Sequence, residues 1–440
     1  MTTLMPNSPR SAGSVDPSRS ADPAWVRDLR DAAAAGFAQR GFPTTRDESW
    51  RYTNLAEVAK TQWRRAEAGA PDEDDRVIPI ESCCRVDLVS GVPTSIEIVG
   101  DAPIVVCSLQ EAIADATESA HAKAHLGRVS RGDTDDALSM LNTSVLTDGL
   151  YIRVPKGVVI DLPMLLVHQT VAEGDAPVSV YPRALIIVED GAAVIIVEHF
   201  LGATTDARTL TDAVSEVVVG ADARCDHTLI QDEHPSAVHV NTRRAVLGDR
   251  AHFGSHALIL GGKLTRNAIA PTLDGEGGHT ILTGVYLCRD GQHADTAIRI
   301  DHAKPNCFSR QFYRGLADTD GRGVFTGRIV VHLDAQKTDA IQNSSGLLLA
   351  PTGHITSRPQ LEIYADDVRC THGSTIGQLD EEAVFYLKAR GIHETEARAM
   401  LIRAFIADIV DRFPDAPVRD WAMDRVTAWL ESGSLAEAGA

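Results

Sequence analysis

The sequence predicts a mainly β chain, with a coiled β-solenoid at its centre and α-helical domains at both ends. Three observations predict it. Between about 77 and 376, short runs rich in Val and Ile (185–188, 194–197, 217–219, 258–260) alternate with turns containing Gly and Asp. The turns resemble one another: EDGAA at 189–193, GADAR at 220–224, GDRAH at 248–252 and GEGGH at 275–279. They recur at roughly 27–31 residues, the spacing of stacked repeats. Near the C-terminus, Ile402, Phe405, Ile406, Ile409, Val410 and Phe413 recur at helical spacing and form a broad apolar stripe.

Taken in order, residues 1–22 are polar and predict a disordered lead without the apolar stretch of a signal peptide. Residues 23–76 predict an N-terminal helical domain. Pro23 stands where a helix can start, and Trp25, Leu29, Ala32, Ala33 and Phe37 share helical spacing until Gly41 and Pro43 interrupt it. The acidic run PDEDD at 71–75 reads as an exposed connector. Residues 77–376 predict the β core, each rung stacking on the last at about 4.8 Å. No helical pattern of about 10–15 residues alternates with the strands, which disfavours a doubly wound α/β sheet. A β-sandwich with turns every 8–12 residues or so also fits these runs. Residues 377–440 predict a C-terminal helical domain, with Gly391 and Pro414 bounding its main helix and a further short helix over 421–430.

Bulk properties exclude several functions. A net charge of -19 over 440 residues argues against nucleic acid and against an anionic membrane as partners. No run of about 18 apolar residues is present to cross a bilayer. Seven cysteines at 83, 84, 107, 225, 288, 307 and 370 are too few and too scattered for a disulfide framework. A reducing, cytoplasmic setting is therefore expected, with most thiols serving as small buried hydrophobes.

Enzymatic constellations are missing. At LGGKL (260–264), Ala257 and Leu264 stand where a phosphate loop needs Gly and Ser or Thr. No GxSxG, HExxH, CxxC or dinucleotide fingerprint occurs. Asp366 and Asp367 are neighbours on a strand and point to opposite faces, so they cannot converge as a carbohydrate-cleaving pair. The histidines at 227, 234, 239, 252, 256, 279, 293 and 302 match no familiar metal spacing and read as surface or hydrogen-bonded core residues.

One segment stands apart. In DDVRCTHGS (366–374), Cys370 and His372 lie two apart and project from one face of a strand. A thiol and an imidazole at about 7 Å are a soft ligand pair suited to iron or an iron–sulfur cluster. A cluster takes about four ligands, so such a pair would be part of a site completed from elsewhere.

The longer run DDVRCTHGSTIGQLDEEAVFYLKARGI (366–392) closely resembles the C-terminal signature of the SufB/SufD family, and of its SufD branch in particular. SRQFYRGLADTDGRGVFTGRIVV (309–331), AQKTDAIQNSSGLLLAPTGHITSRPQLEIYADDV (335–368) and ESWRYTNL (48–55) resemble the same family. The SufB branch carries a cysteine in the run that here reads QNSSGL (342–347), and a Glu-rich stretch where this chain has Cys370 to Gly373. Both differences favour SufD over the SufB-type alternative. The resemblance implies a right-handed parallel β-helix flanked by helical domains, which decides against the sandwich. It implies a non-catalytic scaffold subunit of the SUF iron–sulfur cluster assembly complex. The implied partners are SufB, paired through the β-helix edge, and two copies of the ABC-type ATPase SufC, received by the C-terminal helical domain. A transient iron–sulfur cluster shared with SufB is implied at His372 and Cys370, with no permanently bound cofactor. Whether the isolated chain pairs with a second copy stays open.

Overall fold

The structure is a computed structural model that describes residues 22–433 apart from 72, 130–136, 173, 175 and 204. The lead expected over 1–22 lies outside the described residues except for Asp22. The centre is a parallel β-solenoid. Alternate strands belong to two sheets, so each pair of consecutive strands makes one rung. One sheet ends with Val238–Leu247, Leu264–Leu273, His293–His302, Arg322–Val331 and His354–Ile363. The facing sheet ends with His252–Ile259, His279–Cys288, Phe308–Ala317, Asp339–Leu348 and Arg369–Gln378. Neighbours pair parallel and in register through these rungs, and among the described residues only Cys84–Val89 with Val92–Ile98 and Val105–Ser108 with Leu150–Val154 pair antiparallel. The β-solenoid expectation holds, and the sandwich does not.

The recurring turns are the corners of the coil. Gly191, Asp222, Arg250, Gly277, Asn306 and Lys337 all adopt φ near +60°, where Gly, Asn and Asp are tolerated best. These corners stack: the N–H of Gly191 donates to the carbonyl of Ala221, that of Asp222 to Asp249, and that of Arg250 to Glu276. The hydrogen-bond ladder thus continues through the bends, and that is why one turn pattern repeats in the sequence.

The lumen between the sheets is filled by side chains of alternate strand residues, among them Ile186, Val217, Phe253, Ile298, Tyr313 and Phe325. Close rung spacing constrains them. Tyr286 lies against Gly315 on the next rung, where an added Cβ would stand 2.1 Å from the ring. Glycine is required there by the close approach.

Helices flank the solenoid. Ala24–Arg40 forms as the spacing predicts, although its buried line is Val26, Arg30, Ala33 and Phe37, while Trp25 and Leu29 pack on a second cluster. Beyond it come a single turn at Glu48–Trp50, the short helix Ala56–Lys60 and the two-residue strand Arg64–Arg65. Three further helices, Leu109–Ala114, Glu118–His125 and Ala137–Ser144, fall inside the stretch read as β; at six to eight residues they are too short for a periodicity signal. At the other end lie Glu381–Lys388, Glu394–Val410 and Ala416–Glu431.

The C-terminal apolar stripe is used internally. Ile402, Ile406, Ile409, Val410 and Phe413 are buried against Leu258, Leu260, Val285, Leu287 and Leu316 on the outside of the second sheet. Each such side chain contributes roughly 1.5–3 kcal/mol. The exposed Arg412–Asp408 pair beside them contributes less than about 1 kcal/mol. Apolar burial therefore fastens the last two helices to the solenoid wall.

Candidate functional site

Cys370 and His372 lie on Arg369–Gln378, the last strand of its sheet. It pairs on one side only, placing Cys370 beside Ala340 and His372 beside Gln342. Those two neighbours are inner-face residues: Gln342 is buried and holds the Gln311 side chain at 3.2 Å. Cys370 shares their orientation and packs with Ile329, Val331 and Ala335. Alternation therefore turns His372 toward the lumen as well. No further rung covers it, so it is exposed at the open end of the coil. Ile363, Tyr364 and Ile376 are exposed at the same end. The companion strand His354–Ile363 likewise pairs on one side only.

Burial pushes the Cys370 thiol above its ordinary pKa, so the proton is retained at neutral pH and a metal would have to displace it. Among the described residues, no group of three or more His, Cys, Asp or Glu side chains is placed to hold a metal ion. Cys83, Cys84, Cys225, Cys288 and Cys307 are buried, and burial drives Cys84 up to about 12. Cys107 is half-buried and is raised to about 11 by burial and by the carboxylates of Glu111, Glu118 and Asp115.

Three of the other histidines meet polar partners inside the fold. His256 Nδ1 meets Thr283 Oγ1 at 2.7 Å, His302 Nε2 meets Ser309 Oγ at 2.9 Å, and His239 stands 2.6 Å from Glu233. Sequence reading missed a charged cluster inside the lumen. Glu198 is wholly buried; its carboxylate contacts His168 at 3.0 Å, His227 at 3.1 Å and Arg243 at 3.2 Å. Burial would raise its pKa, yet the His168 and His227 contacts carry it well below the carboxylate range. Only the position of this Glu, directly after the apolar run 194–197 and in phase with Val194 and Ile196, hinted at it.

Comparisons with known proteins match most of the chain. Residues 169–405 match the family described as "SUF system FeS cluster assembly, SufBD core domain", and residues 99–166 match "SufBD protein N-terminal region". This chain belongs to the SufB/SufD family. It is 30% identical over 404 residues to the iron–sulfur cluster assembly protein SufD of Escherichia coli, covering 90% of both chains. It is 28% identical over 432 residues to the chloroplastic protein ABCI7 of Arabidopsis thaliana, covering 95% of this chain and 90% of that one. It is 29% identical over 283 residues to the iron–sulfur cluster assembly protein SufB of Bacillus subtilis, covering 64% of this chain and 60% of the relative. Similarity to SufD thus extends along more of the chain. Membership supports a role in iron–sulfur cluster assembly by the SUF system. No helix among the described residues is long and apolar enough to cross a membrane.

Proposed function

We propose that this protein is the SufD-type scaffold subunit of a SUF assembly complex, without catalytic residues of its own. A nascent iron–sulfur cluster is its cargo, held transiently between this chain and a SufB-type partner in the cytoplasm. The observation that carries the reading is the uncovered end of the solenoid. Two strands, His354–Ile363 and Arg369–Gln378, each leave one edge unpaired there. A row of unsatisfied backbone groups favours another strand edge as its cover. A paralogous β-helix is the natural complement. Its arrival would enclose His372 and Cys370, with the missing ligands supplied from the facing chain.

Residues 377–440 serve in this reading as the platform for a SufC-type ATPase. The stripe 402–413 is spent on the solenoid wall, so the docking surface is the exposed apolar group on Glu381–Lys388 and the first half of Glu394–Val410. Phe385 is 72% exposed, Tyr386 56% and Met400 39%. Because the last two helices are packed on the wall, displacement of the ATPase subunits would be passed to the β core as a rigid-body movement.

The test replaces His372 with Ala and, separately, Cys370 with Ser in the chain co-expressed with its SufB-type and SufC-type subunits. The complexes are purified, reconstituted anaerobically with iron and sulfide, and followed by visible absorption and electron paramagnetic resonance. Intact complexes with reduced cluster content in His372→Ala are expected. Unchanged cluster content in both variants would remove the ligand role and leave the chain a structural subunit.

A further inference from the structure

The segment ESWRYTNL at 48–55 carries no residue of the site at Cys370 and His372, yet it walls a cavity of about 580 Å³ on the outer face of the first sheet. The segment is firmly seated. The Arg266 guanidinium stacks 4.0 Å from the Trp50 ring centroid and donates to the Ser49 carbonyl at 2.8 Å. Arg266 also pairs with Asp295, which accepts from the Thr53 hydroxyl as well. The floor is made of Ala268, Ala270 and Ala297, small outward residues on neighbouring strands.

The opposite wall is Arg328 and Arg358, from the last two strands of that sheet. Both guanidiniums approach the same oxygen of Glu48, at 3.9 and 3.7 Å. Neither distance is a hydrogen bond, which needs about 3.2 Å or less. Among the described residues the Arg358 guanidinium makes no hydrogen bond, and it stands 5.4 Å from the centroid of the Tyr52 ring. Arg328 uses Nε on Gln360 at 3.2 Å and stands 3.4 Å from Glu362. Two forks with N–H donors to spare thus converge on one loosely held carboxylate, in a protein whose net charge is -19. Planar guanidinium pairs of this kind match phosphate oxygens in a bidentate manner. The cavity volume is that of a small-molecule site, and the alanine floor offers a flat apolar surface.

We propose that this groove binds a small phosphate-bearing molecule carrying at least two negative charges. Arg328 and Arg358 grip its phosphates, the alanine floor takes its flat apolar remainder, and the Glu48 carboxylate is the resident group that the phosphate displaces. The site goes beyond the scaffold reading and does not depend on it.

The test is calorimetric titration of the full chain with ADP and, separately, with inorganic pyrophosphate, at low and moderate salt. Saturable binding is expected, weakened by salt. Losing a charge-assisted hydrogen bond in Arg328→Gln or Arg358→Gln should lower affinity by about tenfold or more. Glu48→Gln, which removes the competing charge, should tighten binding several-fold. Arg358→Gln breaks no hydrogen bond of the fold and keeps the test valid if Arg328→Gln unfolds. Absence of saturable binding by both probes at millimolar concentration would overturn the proposal. Affinity unchanged by both arginine substitutions would do the same.

Discussion

Substituting Glu198 by Gln tests the account of the solenoid interior most directly. The Glu198 residue is 2% exposed and faces Arg243, which is 0% exposed and whose guanidinium also donates to the Ser255 hydroxyl at 3.1 Å. Burial already pulls the Arg243 guanidinium below its ordinary pKa, so it is sensitive to any loss of compensation. Glu198→Gln keeps the shape and removes the charge, leaving a cation in a low-dielectric lumen. Breaking a buried pair from one side costs about 3–5 kcal/mol, against about 0.5 for a surface substitution. Removing both charges should restore much of that loss, because a buried pair is close to neutral against a well-packed apolar replacement. The double variant Glu198→Gln/Arg243→Met is therefore expected to be at least about 2 kcal/mol more stable than Glu198→Gln alone. Urea denaturation followed by circular dichroism reads both values from the midpoints. A single variant within about 1 kcal/mol of wild type would refute the reasoning, as would a double variant showing the sum of both losses.

Acid should destabilise the fold earlier than its carboxylates alone would dictate. Burial holds His227 and His302 down at about 4 and His199 at about 3, so these rings are neutral when folded but protonate near 6.5 when unfolded. A lowered histidine pKa means the unfolded chain binds more protons, so stability is complete above about pH 6.5 and falls as the pH drops toward about 4. Three protons give a slope of up to about 4 kcal/mol per pH unit; urea midpoints at several pH values measure it, and a flat profile would contradict it. At the C-terminal platform, Phe385→Asp should leave stability within about 0.5 kcal/mol of wild type while abolishing co-purification with the SufC-type ATPase. Ile406→Asp, which buries a charge under the wall helices, should instead unseat the helices, with a loss of several kcal/mol visible by circular dichroism.

The sequence by itself determined what repeats or is local. The corners at Gly191, Asp222 and Gly277 were legible because every rung needs a left-handed bend at the same place, and few residue types accept it. The 402–413 stripe was legible because helical spacing exposes itself within a few turns. That Cys370 and His372 share a face followed from strand alternation alone. Which face they share did not follow. It depends on the register of Arg369–Gln378 against Asp339–Leu348 and on the absence of a further rung, neither of which a two-residue spacing contains. The same reason hid the pairing of Glu198 with Arg243, 45 residues apart and on facing sheets, and the approach of Glu48 to Arg328 and Arg358 across the outer wall. Short helices such as Leu109–Ala114 left too few turns to show a period. Alternation and spacing describe each strand from within. Only the count and stacking of the rungs decide what meets across the lumen, and which end of it stays open.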